Sequence, residues 1–259
     1  MRADYKEYDF SARLNRIDDI LSSSLDTSYH KESFNIKDLN DNQAIYIDCV
    51  SIFIDLRDST KFVKDSDLQR KSLGKIYKTY ISEMVAIVNS FSTCWEIDIV
   101  GDCVSAIFVN KRESDNIFKD GLQAASMCNG MLKVLNKKYE QKWGNKVHIK
   151  AGIGLASGNA MVMKVGLFGS KDIKEGIYIG DVVNKASKLC DRASKNGNNP
   201  IFVSEEIYNH SNIAANQSTN DTFKDFLNCY NTELENNLQF IYSGSFFRLY
   251  MNNWVKDQT

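Results

Sequence analysis

The sequence lacks an excess of charge of either sign, because 32 lysines and arginines stand against 33 aspartates and glutamates among 259 residues. This balance argues against a basic surface for nucleic acid and against a polybasic membrane anchor. Long apolar runs are also missing: none approaches the roughly 20 residues that a membrane-spanning helix requires, and Met1 to Lys6 do not start a signal peptide. We therefore predict a cytoplasmic protein without a nucleic-acid or membrane partner.

Paired cysteines and clustered histidines are absent as well. The six cysteines form no CxxC spacing and several lie within apolar runs, which predicts buried free thiols in a reducing compartment. The three histidines (His30, His148 and His210) are scattered, which argues against a histidine-based metal site. Apolar residues nevertheless make up 43% of the chain, enough for a sizeable core.

The hydrophobic pattern predicts helices and strands that follow a polar N-terminal region. Residues 4–24 show a helical period and residues 25–43 have the composition of a linker, so we expect an N-terminal extension at 1–43 and one domain at 44–259. Further helices are predicted at 65–90, 113–140 and 181–196, and strands at 45–54, 93–100, 103–110, 147–155, 160–168, 201–203 and 238–250. This mixture, with its hairpins, indicates an α+β fold on an antiparallel sheet.

Two aspartates stand where predicted strands end. Asp55 follows the apolar run that begins at Ile45, and Asp102 follows Gly101 in a hairpin turn. Carboxylates at strand ends can face each other across a sheet, and such hard oxygen ligands suit Mg²⁺ or Mn²⁺ with substrate phosphates completing the shell. Taken alone, each aspartate is more typical of an ordinary turn than of a metal site.

A third block, Gly180 to Leu189, predicts the start of a helix. Asn184 and Lys188 are spaced i, i+4 and therefore project from the same side of that helix. A neutral donor beside a cation suits a sugar oxygen and a phosphate, although a solvated helix face has the same composition.

In this order the blocks resemble the class III adenylate and guanylate cyclases. The matching segments are Phe53 to Thr60, Gly101-Asp102, Gly152-Ile153-Gly154 with Gly158 and Gly166, and Gly180 to Leu189. The resemblance covers about residues 44–250. It implies a ferredoxin-like antiparallel sheet flanked by helices, in a head-to-tail homodimer with two composite active sites.

The resemblance also implies roles for individual residues. Asp55, the Leu56 carbonyl and Asp102 would bind two divalent ions, Mg²⁺ or Mn²⁺, and the partner copy would supply Asn184 and Lys188. Such a site converts a nucleoside triphosphate to a 3′,5′-cyclic monophosphate and pyrophosphate. The remaining residues expected at the substrate are Phe53, Arg57, Ser59, Thr60, Asp98 and Ile177.

Two of these positions bear on the nucleobase. Asp98 lies four residues before Asp102, where adenylate cyclases of the family usually have lysine, and Ile177 lies seven residues before Asn184. An ionised carboxylate accepts hydrogen bonds and donates none, so Asp98 suits the ring N–H of uracil or guanine rather than adenine. These features resemble the pyrimidine cyclases of bacterial Pycsar anti-phage systems, which implies that cUMP or cCMP is made for a separate effector that binds it. We predict UTP over CTP.

Other interpretations of the sequence stay open. A guanylate or adenylate cyclase in ordinary signalling is one alternative. A catalytically inactive, cyclase-like binding module is another, although Asp55, Asp102 and Asn184 are all retained. A dinucleotide cyclase of the GGDEF type is disfavoured because no Gly-Gly-Asp/Glu-Glu-Phe run occurs.

Overall fold

A computed structural model describes residues 7–30, 35–59, 70–166, 174–215, 220–234 and 237–258. The strands are β1 (Asp26–His30), β2 (Gln43–Leu56), β3 (Cys94–Val100), β4 (Cys103–Phe108), β5 (Ala151–Gly166), β6 (Lys174–Ile179), β7 (Ile201–Ser204), β8 (Leu227–Leu234) and β9 (Asn237–Gly244). The helices are α1 (Phe10–Ser22), α2 (Arg70–Asn89), α3 (Ile117–Trp143), α4 (Asp181–Arg192), α5 (Glu205–Asn209) and α6 (Leu249–Asp257). Three short 3₁₀ turns lie at Ile36–Asp38, Gly144–Lys146 and Phe223–Phe226. Among the described helices, none combines the length and the apolar character required to cross a bilayer.

The nine strands within the described residues form one sheet in the order β3-β4-β2-β5-β7-β9-β8, with β1 added beside β2 and β6 beside β5. Its centre is the antiparallel pair of β2 and β5, which runs from Ala44↔Met163 to Leu56↔Ala151. Only the β1–β2 and β5–β7 pairs are parallel among these strands. The predicted α+β fold, a mainly antiparallel sheet flanked by helices, is confirmed.

The side chains of β2 alternate between the two faces of the sheet, as the period of a strand requires. Val50, Ile52 and Ile54 pack in the core formed with α2 and α3, and we call this side the α2/α3 face. On the other side, Ile45, Ile47 and Cys49 belong to a second core that includes Val182, Ala186 and Leu189 of α4, and we call this side the α4 face. The sheet is therefore buried on both sides.

Glycines in β5 let α4 lie directly on the strand. A Cβ on Gly154 would lie 2.2 Å from the Ala186 carbonyl oxygen and 2.2 Å from the Cys190 nitrogen, both backbone atoms. At Gly158, by contrast, the nearest atom would be the Cβ of Val182 at 3.3 Å. The contact at Gly154 is thus the tighter of the two.

Gly154→Ala is therefore expected to lower the free energy of unfolding by about 3 kcal/mol or more, since the helix backbone cannot yield as a flexible side chain would. Gly158→Ala is the matched control and should cost less than about 1 kcal/mol, because Val182 can shift by a few tenths of an ångström. Urea unfolding at one protein concentration measures both. Equal stability of the two variants would contradict this account of the α4–β5 contact.

Several predicted elements match the structure. The hairpin of β3 and β4 is confirmed, and Gly101 has φ of 65° at the first of its two turn positions, as a type II′ turn requires. The N-terminal helix is confirmed as α1, which Asp9 caps through the Ala12 amide. Ser204 caps α5 by accepting a hydrogen bond from the Ile207 amide. Residues 65–69, which the prediction placed in α2, lie outside the described residues.

Three predictions of secondary structure were wrong. The two strands expected at 147–155 and 160–168 are one strand, β5, in which Ser157 pairs with Val50 instead of forming a turn. Residues 25–43 are not a linker throughout, since β1 pairs with β2 and Leu39 is buried. The helix expected to reach residue 196 ends at Arg192, because the following loop contains residues in the left-handed region: Ser194, Asn196 and Gly197.

The C-terminal region also differs from the prediction. The last strand expected at 238–250 is β9, which ends at Gly244 and pairs with β8, a strand that the sequence pattern did not show. The chain then forms α6, whose Met251 is buried.

None of the six cysteines, all within the described residues, forms a disulfide, and three of them are buried as predicted. Cys229 is exposed.

Candidate active site

Two carboxylates lie near each other at one end of the sheet. Asp55 is the penultimate residue of β2, and Asp102 is the second residue of the β3–β4 turn. The antiparallel register pairs Ile54 with Val104, so its next step places Asp55 beside Cys103, the neighbour of Asp102. The sequence-based prediction that these two aspartates adjoin is consistent with this geometry.

The electrostatics of Asp55 reflect its surroundings. Burial raises the pKa of Asp55, the Arg57 guanidinium opposes this rise, and the nearby carboxylate of Asp102 adds to it. Lys195, in the loop after α4, lowers the pKa by a smaller amount. Two half-buried carboxylates that repel each other form a site to which a cation is attracted.

The donor set at this end of the sheet fits a divalent ion. The Oδ2 atom of Asp102 is inaccessible to solvent and has no hydrogen-bond partner within the described residues, which is costly for a carboxylate oxygen unless a cation neutralises it. The described residues contain no group of three or more histidine, cysteine, aspartate or glutamate side chains that could hold a metal. Mg²⁺ commonly needs only one or two carboxylates, since substrate phosphates and water complete its shell. Leu56, the third predicted ligand through its carbonyl, ends β2 directly after Asp55.

Arg57 occupies a different position from the one predicted. Its side chain is buried, and its donors go to Asp55 and to the backbone carbonyls of Cys190 and Ala193. The guanidinium is therefore turned into the protein. The prediction that Arg57 contacts substrate is not supported by this placement.

The residues that follow Arg57 leave the sheet in a turn. The backbone oxygen of Ser59 accepts a hydrogen bond of 3.4 Å from the Tyr77 hydroxyl. Thr60, predicted to contact substrate, lies outside the described residues. The substrate-binding roles of Ser59 and Thr60 remain predictions.

Phe53 and Asp98 share one row of the sheet on the α4 face. Phe53 pairs with Ser105 in β4, and Ser105 pairs with Asp98 in β3, so the three side chains point to the same side. Phe53 is half-buried and Asp98 is exposed. Partial desolvation raises the pKa of the Asp98 carboxyl, and the carboxylate of Glu175 adds to the rise. The structure therefore brings an aromatic ring and a hydrogen-bond acceptor onto one surface.

Ile177 does not share this surface within one chain. It pairs with Met163 in β5, whereas its neighbour Tyr178 pairs with Val162, a residue of the core on the α4 face. Since successive strand residues alternate, Ile177 points away from the face that carries Asp98. The structure does not bring these two predicted base-reading residues together.

Tyr178 is the residue of β6 that reaches this surface instead. Its hydroxyl donates to the Glu96 carboxylate, and its ring meets Trp95 edge-on with centroids 6.1 Å apart. Burial raises the pKa of Glu96, the hydrogen bond from Tyr178 lowers it, and Asp98 raises it again. Glu96 and Tyr178 were not predicted. Had that segment been recognised as a strand, alternation would have placed Tyr178 and Ile177 on opposite faces of the sheet.

Asn184 and Lys188 lie on the exposed outer side of α4, as their spacing predicted. The opposite side of the helix, with Val182, Ala186 and Leu189, is buried against β5. Asn184 and Lys188 therefore point away from the sheet that carries Asp55. One chain alone does not assemble all the predicted catalytic groups.

Two curated relatives are similar to the chain along most of its length. The chain is 48% identical to a uridylate cyclase of Gulbenkiania mobilis, with 99% of each protein covered. It is 30% identical to a uridylate cyclase of Treponema porcinum, with 86% of this chain and 77% of that protein covered. No protein-family model matches the chain.

Solved structures share the fold. The adenylyl cyclase CyaB from P. aeruginosa superposes with a TM-score of 0.60 at 23% identity, covering 80% of this chain and 97% of that one. The guanylyl cyclase Cya2 superposes with a TM-score of 0.56 at 16% identity, covering 79% and 94%. At such identities these likenesses concern the fold alone.

Proposed function

Because the chain belongs to the uridylate cyclases, within the class III nucleotidyl cyclases, we propose that it converts UTP to 3′,5′-cyclic UMP and pyrophosphate. The observation that carries the proposal is the pair of carboxylates, Asp55 and Asp102, the second of which has a buried oxygen that no described residue contacts by a hydrogen bond. A turn aspartate would expose that oxygen to water or give it a backbone donor. A nucleotidyl cyclase needs it for a metal ion.

The proposed roles follow from the chemistry of each group. Asp55, Asp102 and the Leu56 carbonyl would hold two Mg²⁺ or Mn²⁺ ions, which when bound favour ionisation of the 3′-hydroxyl and offset charge on the phosphates. In the reaction the 3′-oxygen loses its proton and bonds to the α-phosphorus, while the bond from that phosphorus to pyrophosphate breaks. Asn184 would orient the ribose, and the Lys188 ammonium would donate to the α-phosphate as its charge grows.

The site would be shared between two copies of the chain. This part of the proposal is supported by the outward orientation of Asn184 and Lys188, which face away from the carboxylates of their own chain. A second copy in head-to-tail arrangement would place its α4 over Asp55 and Asp102, and the first copy would reciprocate.

Base choice would depend on Asp98. Its carboxylate can accept the N3–H of uracil, whereas cytosine has a bare N3 and adenine has a bare N1. Phe53, in the same row, offers a ring on which a base can stack. Guanine also presents a ring N–H, so a guanylate cyclase is the second candidate, and this same carboxylate favours it.

Incubation with each of the four nucleoside triphosphates and Mn²⁺, with mass spectrometry of the products, tests the proposal. UTP should be cyclised faster than CTP, and both faster than ATP or GTP.

Asp98→Asn should lower the ratio of kcat/KM for UTP over CTP by about tenfold or more, because an amide can donate to the bare N3 of cytosine. Asp115→Asn, in the loop between β4 and α3, is the control. A ratio that Asp98→Asn leaves unchanged would remove Asp98 from the base site, and a preference for GTP would favour the second candidate.

We also propose that the product is a second messenger in anti-phage defence and acts on a separate effector that binds cyclic nucleotides. The names of the two relatives support the pyrimidine product, and the defence role rests on the resemblance to the Pycsar cyclases.

A further inference from the structure

The guanidinium of Arg57 contacts two separate elements of the fold at once. One terminal nitrogen donates to Asp55 Oδ2 at 2.8 Å, and Nε donates to the Ala193 carbonyl at 2.8 Å. The other terminal nitrogen donates to the Cys190 carbonyl and lies 3.6 Å from the Cys190 sulfur. The Arg57 side chain is only 5% exposed. All three of its nitrogens are therefore committed to protein partners.

The Arg57 guanidinium packs directly against Gly152. A Cβ at Gly152 would be 1.8 Å from an Arg57 terminal nitrogen and 2.6 Å from its Cζ, so any larger residue would displace the group. The backbone of Arg57 is also fixed, since its N–H donates to the Lys150 carbonyl at 2.8 Å. The position of the guanidinium is thus determined both by its own contacts and by the hydrogen bond of the Arg57 backbone.

The two carbonyls that Arg57 binds belong to the end of α4. The last carbonyls of a helix have no partner within the helix, and cations are favoured there. Arg57, the residue after β2, donates to the carbonyls of Cys190 and Ala193, and the Cys190 carbonyl also accepts from the Ala193 N–H. The planar fork of arginine suits three acceptors in different directions, whereas lysine presents a single ammonium.

We infer that Arg57 is a positioning residue that couples Asp55 to helix α4, and that in the dimer it thereby links the two active sites. The inference rests on the proposed function. In a head-to-tail dimer, Asp55 of one chain serves one site and Asn184 and Lys188 of the same chain serve the other. Displacing Arg57 in one chain therefore disturbs the carboxylate half of one site and the α4 half of the second.

Purified heterodimers separate these two effects. One chain carries Asp102→Ala and the other Asn184→Ala, so a single site remains, built from the carboxylates of the second chain and α4 of the first. Arg57→Lys is then added to either chain. In the Asn184→Ala chain the Arg57→Lys substitution acts on the active site through Asp55, and in the Asp102→Ala chain only through α4.

We expect kcat to fall about 10-fold to 100-fold in both placements with little change in KM, as for other residues that orient a ligand. A fall in the first placement alone would overturn the coupling, and a fall in neither would overturn the positioning role.

Hydrogen exchange gives a readout that does not depend on activity. Arg57→Lys and Gly152→Ala should each speed exchange of the backbone amides of residues 190–194 by about tenfold or more, while the amides of α3 keep their rates. Arg112→Ala, in an exposed loop, is the control. Unchanged exchange at the end of α4 in Arg57→Lys would overturn the inference. Absence of any cyclic product from the wild-type chain would instead refute the proposed function, whereas the hydrogen-exchange result would not be affected.

Discussion

Asp102→Asn should lower kcat/KM for cyclisation by about 10³-fold or more while the protein folds as well as before. The amide keeps the size of the side chain but loses the charge that a divalent ion requires. The wild-type Oδ2 is buried and makes no hydrogen bond in the described part of the chain, so no hydrogen bond among those residues is lost on substitution. Removing one of two neighbouring carboxylates also relieves repulsion that raises the pKa of Asp55. Stability should consequently stay constant or increase.

A loss of activity without a loss of stability distinguishes a catalytic aspartate from a structural one. Substitution of a structural turn aspartate would lower the stability of the protein. Its activity would then fall only in proportion to the loss of folded protein. Melting temperature, dimer content and steady-state kinetics with Mn²⁺ should be measured together for Asp102→Asn and for Asp257→Asn, an exposed control at the end of α6. Near-wild-type turnover in Asp102→Asn would remove this residue from the active site, and so would a loss of activity that merely follows a loss of folded protein.

The carboxylate pair could be predicted from the sequence because local patterns determine where each residue lies. An apolar run ends at Asp55, and a Gly-Asp turn separates two short strands at Asp102. Both features are short-range, and antiparallel pairing brings such ends together. The positions of Asn184 and Lys188 on α4 were predictable for a similar reason, since the helical period alone assigns them to the outer side.

The contacts of Arg57 could not be predicted in this way. Its backbone partners are 133 and 136 residues away in the chain, and no local pattern connects them. The same limit explains the error in β5, where Gly158 lies in the gap between the two strands expected at 147–155 and 160–168. The structure shows that it lies opposite Val182 of α4, so its small size serves a tertiary contact rather than a change of direction.

The pairing of Tyr178 with Glu96 was missed for a related reason. Gly176 and Gly180 border the segment, and they made it resemble the approach to a helix. In the structure it is strand β6, paired with the far end of β5. Only the long-range register decides that Tyr178, and not Ile177, faces Trp95 and Glu96. The surroundings of Asp98 therefore include a part of the fold that sequence patterns describe poorly.

Two inactive variants should restore each other's activity if the active sites are shared. Asp55→Ala removes the carboxylate half of a site, and Asn184→Ala removes the α4 half. In a heterodimer one site combines both defects, and the other combines the intact carboxylates of one chain with the intact α4 of its partner. Heterodimers purified through two different tags should therefore reach about half of the wild-type kcat, although each parent homodimer is inactive.

A matched pair from the same half provides the control for this rescue. Heterodimers of Asp55→Ala with Asp102→Ala have a damaged carboxylate pair in both sites, so they should remain inactive despite forming equally well. Activity should return when Asp55→Ala is paired with Asn184→Ala, but not when it is paired with Asp102→Ala. This result would require that Asn184 acts on the carboxylates of the other chain, as its outward orientation on α4 indicates. If each site instead used Asp55 and Asn184 of a single chain, both heterodimers would be inactive, because neither contains an intact chain.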